Sequence, residues 1–155
     1  MMSELKAYSG FKLVRMQGIT AIILNSRKVL VMKRLWLPFI IYPGAWTFVA
    51  GHKESGESED ETAYREVFEE AGIARADLAL AGKYAKVLKI DEKRARKFYN
   101  TLYLFRSRTK AVRKNVENTA YRWATLADIR DERLYTNVFA NPAFILKVIR
   151  KALER

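Results

Sequence analysis

A chain of 155 residues and 18.0 kDa, half of it hydrophobic and 30% charged, is sized for a single domain over residues 1–155 with a core of its own. The absence of cysteine excludes disulfides and thiolate metal sites, and a single histidine, His52, excludes a multi-histidine zinc centre. No apolar run is long enough to span a bilayer and the first residues lack a signal-peptide core, so a cytoplasmic protein without a membrane partner is expected.

Residues 11–16 read as a first, edge strand. Residues 19–24 and 28–34 are β-branched and apolar, and Asn25-Ser26-Arg27 between them reads as a hairpin turn. Residues 35–45 carry Pro38, Pro43 and Gly44 and predict a loop, yet Trp36, Phe39, Ile40, Ile41 and Tyr42 make it unusually apolar. Its aromatic rings suit a stacked base, a core contact or a homodimer contact equally well. Residues 46–50 predict a strand running into Gly51.

Residues 57–71 predict a helix. Ser58 and Glu61 have capping-box spacing, Glu59 and Asp60 favour the positive end of the helix dipole, and Gly72 is a natural stop. Ala63, Tyr64, Val67, Phe68 and Ala71 form one apolar arc that can dock on a sheet. Glu66, Glu69 and Glu70 fall on the opposite arc. Like charges at that spacing cost about 0.2–0.5 kcal/mol per pair. Hard oxygen donors on one rigid face suit Mg²⁺ or Mn²⁺, but a solvated acidic face has the same pattern.

Residues 78–90 predict one strand or two short ones, 91–97 a charged hairpin tip, and 98–106 a strong strand. Residues 107–118 read as a basic loop ending at Glu117-Asn118, and 119–124 as a returning strand. Thr125 caps a short helix. Asn141-Pro142 then opens a last helix with Phe144, Ile145, Val148, Ile149, Ala152 and Leu153 on its core face. Strands and helices without a regular βαβ repeat predict an α/β fold with a mixed sheet between helical layers.

Charge is unevenly placed. Residues 83–114 hold twelve Lys or Arg against Asp91 and Glu92, in a chain of formal net charge +12. Such a stretch attracts polyanions, an RNA included, or merely keeps the protein soluble.

The stretch 51–73 resembles the signature of the Nudix (MutT-like) hydrolases, G-x5-E-x7-R-E-U-x-E-E-x-G-U with U a bulky aliphatic residue. Gly51, Glu57, Arg65, Glu66, Val67, Glu69, Glu70, Gly72 and Ile73 fill every specified position. The preceding PGAWTFVAG resembles the family's usual approach, P-G-x-W-x-x-P-G-G, but carries Val49 and Ala50 in place of the proline and the first glycine. An A-G-H approach is familiar from Nudix subgroups outside those that cleanse nucleotide pools.

The resemblance implies a Nudix-type α/β/α sandwich and Mg²⁺- or Mn²⁺-dependent hydrolysis of a diphosphate linkage. Glu66 and Glu70 become the principal metal ligands, Glu69 completes the acidic face, and the Gly51 carbonyl joins them. Glu57 and Arg65 become the brace behind the ligands, which also places Arg65 beside Glu66 in the catalytic group. Some family members draw a general base from the loop before a late strand bearing Trp. Glu117, before Trp123, fits that place, with Glu92 as second choice; His52, next to Gly51, could contact a phosphate or shuttle a proton, or be a loop residue of no chemical consequence. Arg34, Lys86 and Lys89 are candidates for gripping phosphate, and Trp36 and Trp46 for stacking.

The expected substrate is a nucleoside diphosphate linked to another moiety. More highly charged substrates remain open: a dinucleoside polyphosphate, a diphosphoinositol polyphosphate or an RNA 5′ end. So does a binding module without turnover, although none of the box glutamates is lost.

Overall fold

The computed structural model describes residues 6–39, 42–131 and 139–155. Ile40 and Ile41 of the apolar loop lie outside them. The strands are β1 (Lys12–Leu13), β2 (Gly18–Asn25), β3 (Lys28–Arg34), β4 (Trp46–Thr47), β5 (Val49–His52), β6 (Leu78–Asp91), β7 (Arg96–Ser107) and β8 (Asn118–Ala124). The helices are α1 (Glu59–Ala71), α2 (Leu126–Asp131) and α3 (Pro142–Leu153).

The sheet is mixed. β2 runs parallel to β7, while the β6–β7, β2–β3, β2–β5 and β3–β8 pairs are antiparallel. β2 is apolar on both faces because both are covered. Ile19, Ala21 and Ile23 pack with Ala63, Val67 and Ala71 of α1, whereas Ile22 and Leu24 pack with Ile145 and Ile149 of α3. This gives the α/β/α sandwich. Ile149 is fully buried in the second cluster. Ile149→Ala is therefore expected to lower stability by about 2–5 kcal/mol, read from urea unfolding at constant m-value.

One feature of the sheet makes room for a site. β3 pairs with β2 only at the hairpin, from Leu24↔Val29 to Asn25↔Lys28, and then continues along β8. β5 takes its place beside the first half of β2, from Gly18↔His52 to Ala21↔Val49. The predicted single strand 46–50 accordingly breaks at Phe48, with β4 on β3 and β5 on β2. Two other expectations change. The strand expected over 11–16 shortens to Lys12–Leu13, parallel to β7. Residues 78–91 form one continuous strand, bent by irregularities at Leu80/Gly82 and Tyr84/Val87.

α1 begins at Glu59. Ser58 Oγ accepts from the Glu61 amide, and Glu61 Oε2 accepts from the Ser58 amide. Its start is also tied to the sheet: Asp60 accepts from the Tyr103 hydroxyl and Lys83 Nζ, and Glu59 accepts from Thr101 Oγ1. Gly72 ends it with φ 68°, and a Cβ there would lie 2.8 Å from Arg113 Cβ. Phe68 does not belong to the docking arc; it is half exposed, and Glu66 and Glu70 are buried instead. No helix among the described residues is long and apolar enough to cross a membrane.

Candidate active site

Glu66 and Glu70 stand one turn apart on α1, both facing β5. Glu66 passes so close to Gly51 that a Cβ at residue 51 would sit 2.0 Å from the Glu66 carboxyl carbon. Glu70 Oε1 accepts from the Ala50 amide at 3.4 Å, and Oε2 from Asn118 Nδ2 at 3.2 Å. Burial, reinforced by the negative charges of Glu66 and Glu117, pushes the Glu70 carboxyl up to about 7 despite these donors. Burial also raises Glu66, against the pull of Arg65.

Arg65 holds the group from behind. Its fork spans Glu57, with Nε to Oε1 at 2.6 Å and Nη2 to Oε2 at 3.1 Å. Nη1 donates to Glu66 at 2.8 Å and Glu69 at 3.0 Å, and Nη2 to the His52 carbonyl at 3.0 Å. The hydrogen bond from Arg65 is the main reason the Glu57 carboxyl lies at about 2. Glu57 also accepts from the Glu54 amide and Thr62 Oγ1, which fixes the loop 53–58 against the helix.

A cavity of about 730 Å³ opens at the split between β5 and the β3–β8 pair. Glu66, Glu69, Glu70, Gly51 and Arg65 form one wall, and Lys89, Phe98 and Asn100 line it as well. Leu35, Leu37, Phe39 and Val116 supply its apolar surface, and Arg34, His52, Glu117 and Asn118 also reach it. Of the site residues singled out in the sequence, Glu57, Trp36, Trp46, Lys86 and Glu92 do not line it. Trp36 is 72% exposed and packs beside Gly44. Trp46 lies under the cations of Lys33 and Arg122, and Lys86 is exposed at the β6 irregularity with φ 56°.

The basic stretch is not a continuous free surface. Lys83 pairs with Asp60, Arg94 and Arg96 pair with Asp91, Lys97 donates to the Tyr8 carbonyl, and Arg106 donates to the Ala152 carbonyl. Lys89 is buried.

Comparison with protein-family profiles matches the NUDIX domain over residues 14–145. The chain belongs to the Nudix family. It is a Nudix pyrophosphatase, with the full set of box residues on one loop–helix unit. Among solved structures, the MutT protein from Methanosarcina mazei Go1 is 18% identical with a TM-score of 0.72, over 94% of this chain and 98% of that one. An Ap4A hydrolase binary complex from C. elegans is 20% identical with a TM-score of 0.65, over 88% and 94%. The NUDIX domain of Shewanella oneidensis NrtR, complexed with ADP ribose, is 17% identical with a TM-score of 0.67, over 99% of both chains. These likenesses establish a shared Nudix fold. A search of curated proteins finds no match.

In this Nudix chain the donor set fits a hard divalent cation, although no group of three acidic side chains among the described residues stands as a finished shell. Glu69 is exposed and turned to Arg65. Glu66 and Glu70 are buried carboxylates whose mutual repulsion a cation would relieve. Two neutral partners escaped the sequence reading. Asn118 ends the basic loop beside Glu117 and orients Glu70 from 48 positions away. Asn100 is an amide on the face of β7 that alternation otherwise fills with Phe98, Leu102 and Leu104, which was the available signal.

The close approach at residue 51 makes a sharp prediction. Gly51→Ala must push Glu66 aside, and a displacement of about 1 Å at a reacting site costs on the order of 10²-fold in rate. Steady-state hydrolysis should show that loss, while the fold survives because the added methyl meets a side chain rather than backbone.

Proposed function

We propose that this Nudix pyrophosphatase cleaves the diphosphate linkage of a nucleoside diphosphate joined to another moiety, with Mg²⁺ or Mn²⁺ as cofactor. The observation that carries this reading is the buried Glu66–Glu70 pair on the wall of a cavity of about 730 Å³, a size suited to a nucleotide. The similar solved proteins bear names that point to nucleotide-like ligands: Ap4A for one, ADP ribose for another.

Glu66, Glu70 and the Gly51 carbonyl are the groups that would hold the cation, with Glu69 in reserve behind Arg65. When bound, it supplies positive charge against the diphosphate and acidifies water beside it. Arg65 and Glu57 keep the carboxylates aimed at β5. Glu117, on the cavity wall, takes the proton from the attacking water. The water oxygen bonds to phosphorus as the bridging P–O bond breaks, and that electron pair leaves with the departing phosphate. The apolar residues Leu35, Leu37, Phe39 and Val116 offer a surface for the nucleoside.

The decisive experiment is a panel of nucleotide diphosphate compounds with Mg²⁺ or Mn²⁺ and Glu70→Gln as control. Metal-dependent release of two phosphate-bearing products supports the reading. Absence of turnover on the whole panel, or equal turnover by the control, sinks it.

A further inference from the structure

Lys89 is buried without a carboxylate beside its ammonium. Its residue is 8% exposed, and its ammonium donates to Thr20 Oγ1 at 3.3 Å. Ring centroids of Phe98 and Phe139 lie 5.8 and 5.6 Å away. Thr20 Oγ1 also accepts from Asn100 Nδ2 at 3.2 Å, so the threonine is shared and the ammonium keeps further N–H directions for a ligand. Among the described residues no carboxylate forms an ion pair with Lys89.

Arg34 lines the same cavity, half-buried, with the charges of Glu70 and Glu117 acting on it. Its Nε is buried without a hydrogen-bond partner, and no carboxylate pairs with it among the described residues. The two cations oppose each other: the charge of Arg34 lowers the Lys89 pKa, second only to burial, and more than Glu70 restores it. A buried charge without a partner is costly, and a second, half-buried cation in the same cavity adds to that cost. Glu70 offers only partial relief, which is withdrawn once its own charge is taken up by a cation.

We propose that Lys89 and Arg34 form a seat for an oxyanion on the non-reacting end of the ligand. On the hydrolase reading above, the preferred substrate then carries negative charge beyond the linkage that is cut. Two sources share that chemistry: a further phosphate of a nucleoside tri- or polyphosphate, and a phosphomonoester on the linked moiety. The alternation of the strands supports the separation. Thr20 and Asn100 lie on the face of β2 and β7 that carries Ile22 and Leu102 toward α3, opposite the face that carries α1 and its carboxylates.

The test has two arms. In the first, tripolyphosphate is titrated by calorimetry into the protein without divalent cation. Lys89→Met should weaken binding by about tenfold or more. Lys147→Met, a change at an exposed α3 lysine, should leave it unaltered. In the second, kcat/KM is measured with Mg²⁺ for a nucleoside triphosphate, a nucleoside diphosphate sugar and the same compound phosphorylated on the sugar. The ratio of kcat/KM for a substrate with the additional phosphate to that for the nucleoside diphosphate sugar without it should fall by about tenfold or more in Lys89→Met, through KM. The charged substrate that loses most identifies the source. Lys89→Gln replaces the methionine variant if the latter does not fold. Tripolyphosphate binding indifferent to Lys89, or an unchanged substrate ratio, overturns the proposal. If no compound is hydrolysed but tripolyphosphate binding still needs Lys89, the seat stands and the hydrolase reading falls.

Discussion

Glu70→Gln is expected to lower kcat/KM by about 10²–10³-fold and to abolish stabilisation by Mn²⁺. The amide keeps the shape of the side chain and a partner for Asn118, but removes the charge a cation needs. The same residue sets a pH dependence. Its carboxyl is raised from 4.5 to about 7 in the folded protein, mainly by burial. A raised pKa means that the folded form favours the proton, so this contribution to stability is present at pH below the ordinary carboxylate range and lost as pH climbs through about 7. Without divalent cation, the wild type should therefore lose melting temperature between pH 5 and 8 relative to Glu70→Gln. Added Mn²⁺ should raise the wild-type melting temperature much more at pH 8 than at pH 5. A wild type and variant that melt in parallel across that range would show that burial does not raise the Glu70 carboxyl, and equal Mn²⁺ shifts in the two would remove Glu70 from the cation site.

Glu117→Gln is expected to cut kcat by about 10²–10⁴-fold with KM little changed. The residue is exposed on the cavity wall, yet its backbone is held: its carbonyl accepts from the Leu35 amide at 2.9 Å and its amide donates to Asn115 Oδ1 at 3.1 Å. A side chain on a fixed backbone can meet a water repeatedly at one place. Mutation of Glu92, which does not line the cavity, should leave kcat within about twofold, as expected of a carboxylate outside hydrogen-bond reach. Single-turnover measurements of both variants separate the chemical step from product release. A normal rate in Glu117→Gln takes the proton-transfer role away from this residue.

Much of the molecule was legible because helix period and capping chemistry are local. Ser58, Glu61, Gly72, Asn141 and Pro142 each act on their own few neighbours, and the helices formed where those signals stood. The two buried glutamates follow from the same period, since residues four apart share a face. What failed was reading burial from hydropathy. Phe68 looked like core and is half exposed, because α1 faces the sheet along a line that passes through Glu66 and Glu70, where the cavity lies. Lys89, counted in the basic stretch and among the phosphate-gripping candidates, is turned inward by strand alternation beside Thr20 and Phe98. The break at Phe48 and the exposure of Trp36 depend on how β3 and β5 share β2, which no local window contains. Asn118 and Glu70 meet only after 48 residues of chain have folded.

The loop 108–117, which follows β7, is tied to the C-terminal end of α1. The Arg113 amide donates to the Ala71 carbonyl at 2.8 Å, and Trp123 Nε1 holds the Lys110 carbonyl at 3.0 Å. The segment that carries Glu117 is thus hinged on the helix that carries Glu66 and Glu70, rather than swinging as a separate flap. Residues added or removed between Arg113 and Glu117 would change the span from Glu117 to the carboxylates of Glu66 and Glu70 while leaving those carboxylates in place. In this architecture that short segment is an adjustable ruler, and changing its length retunes the reaction without rebuilding the domain.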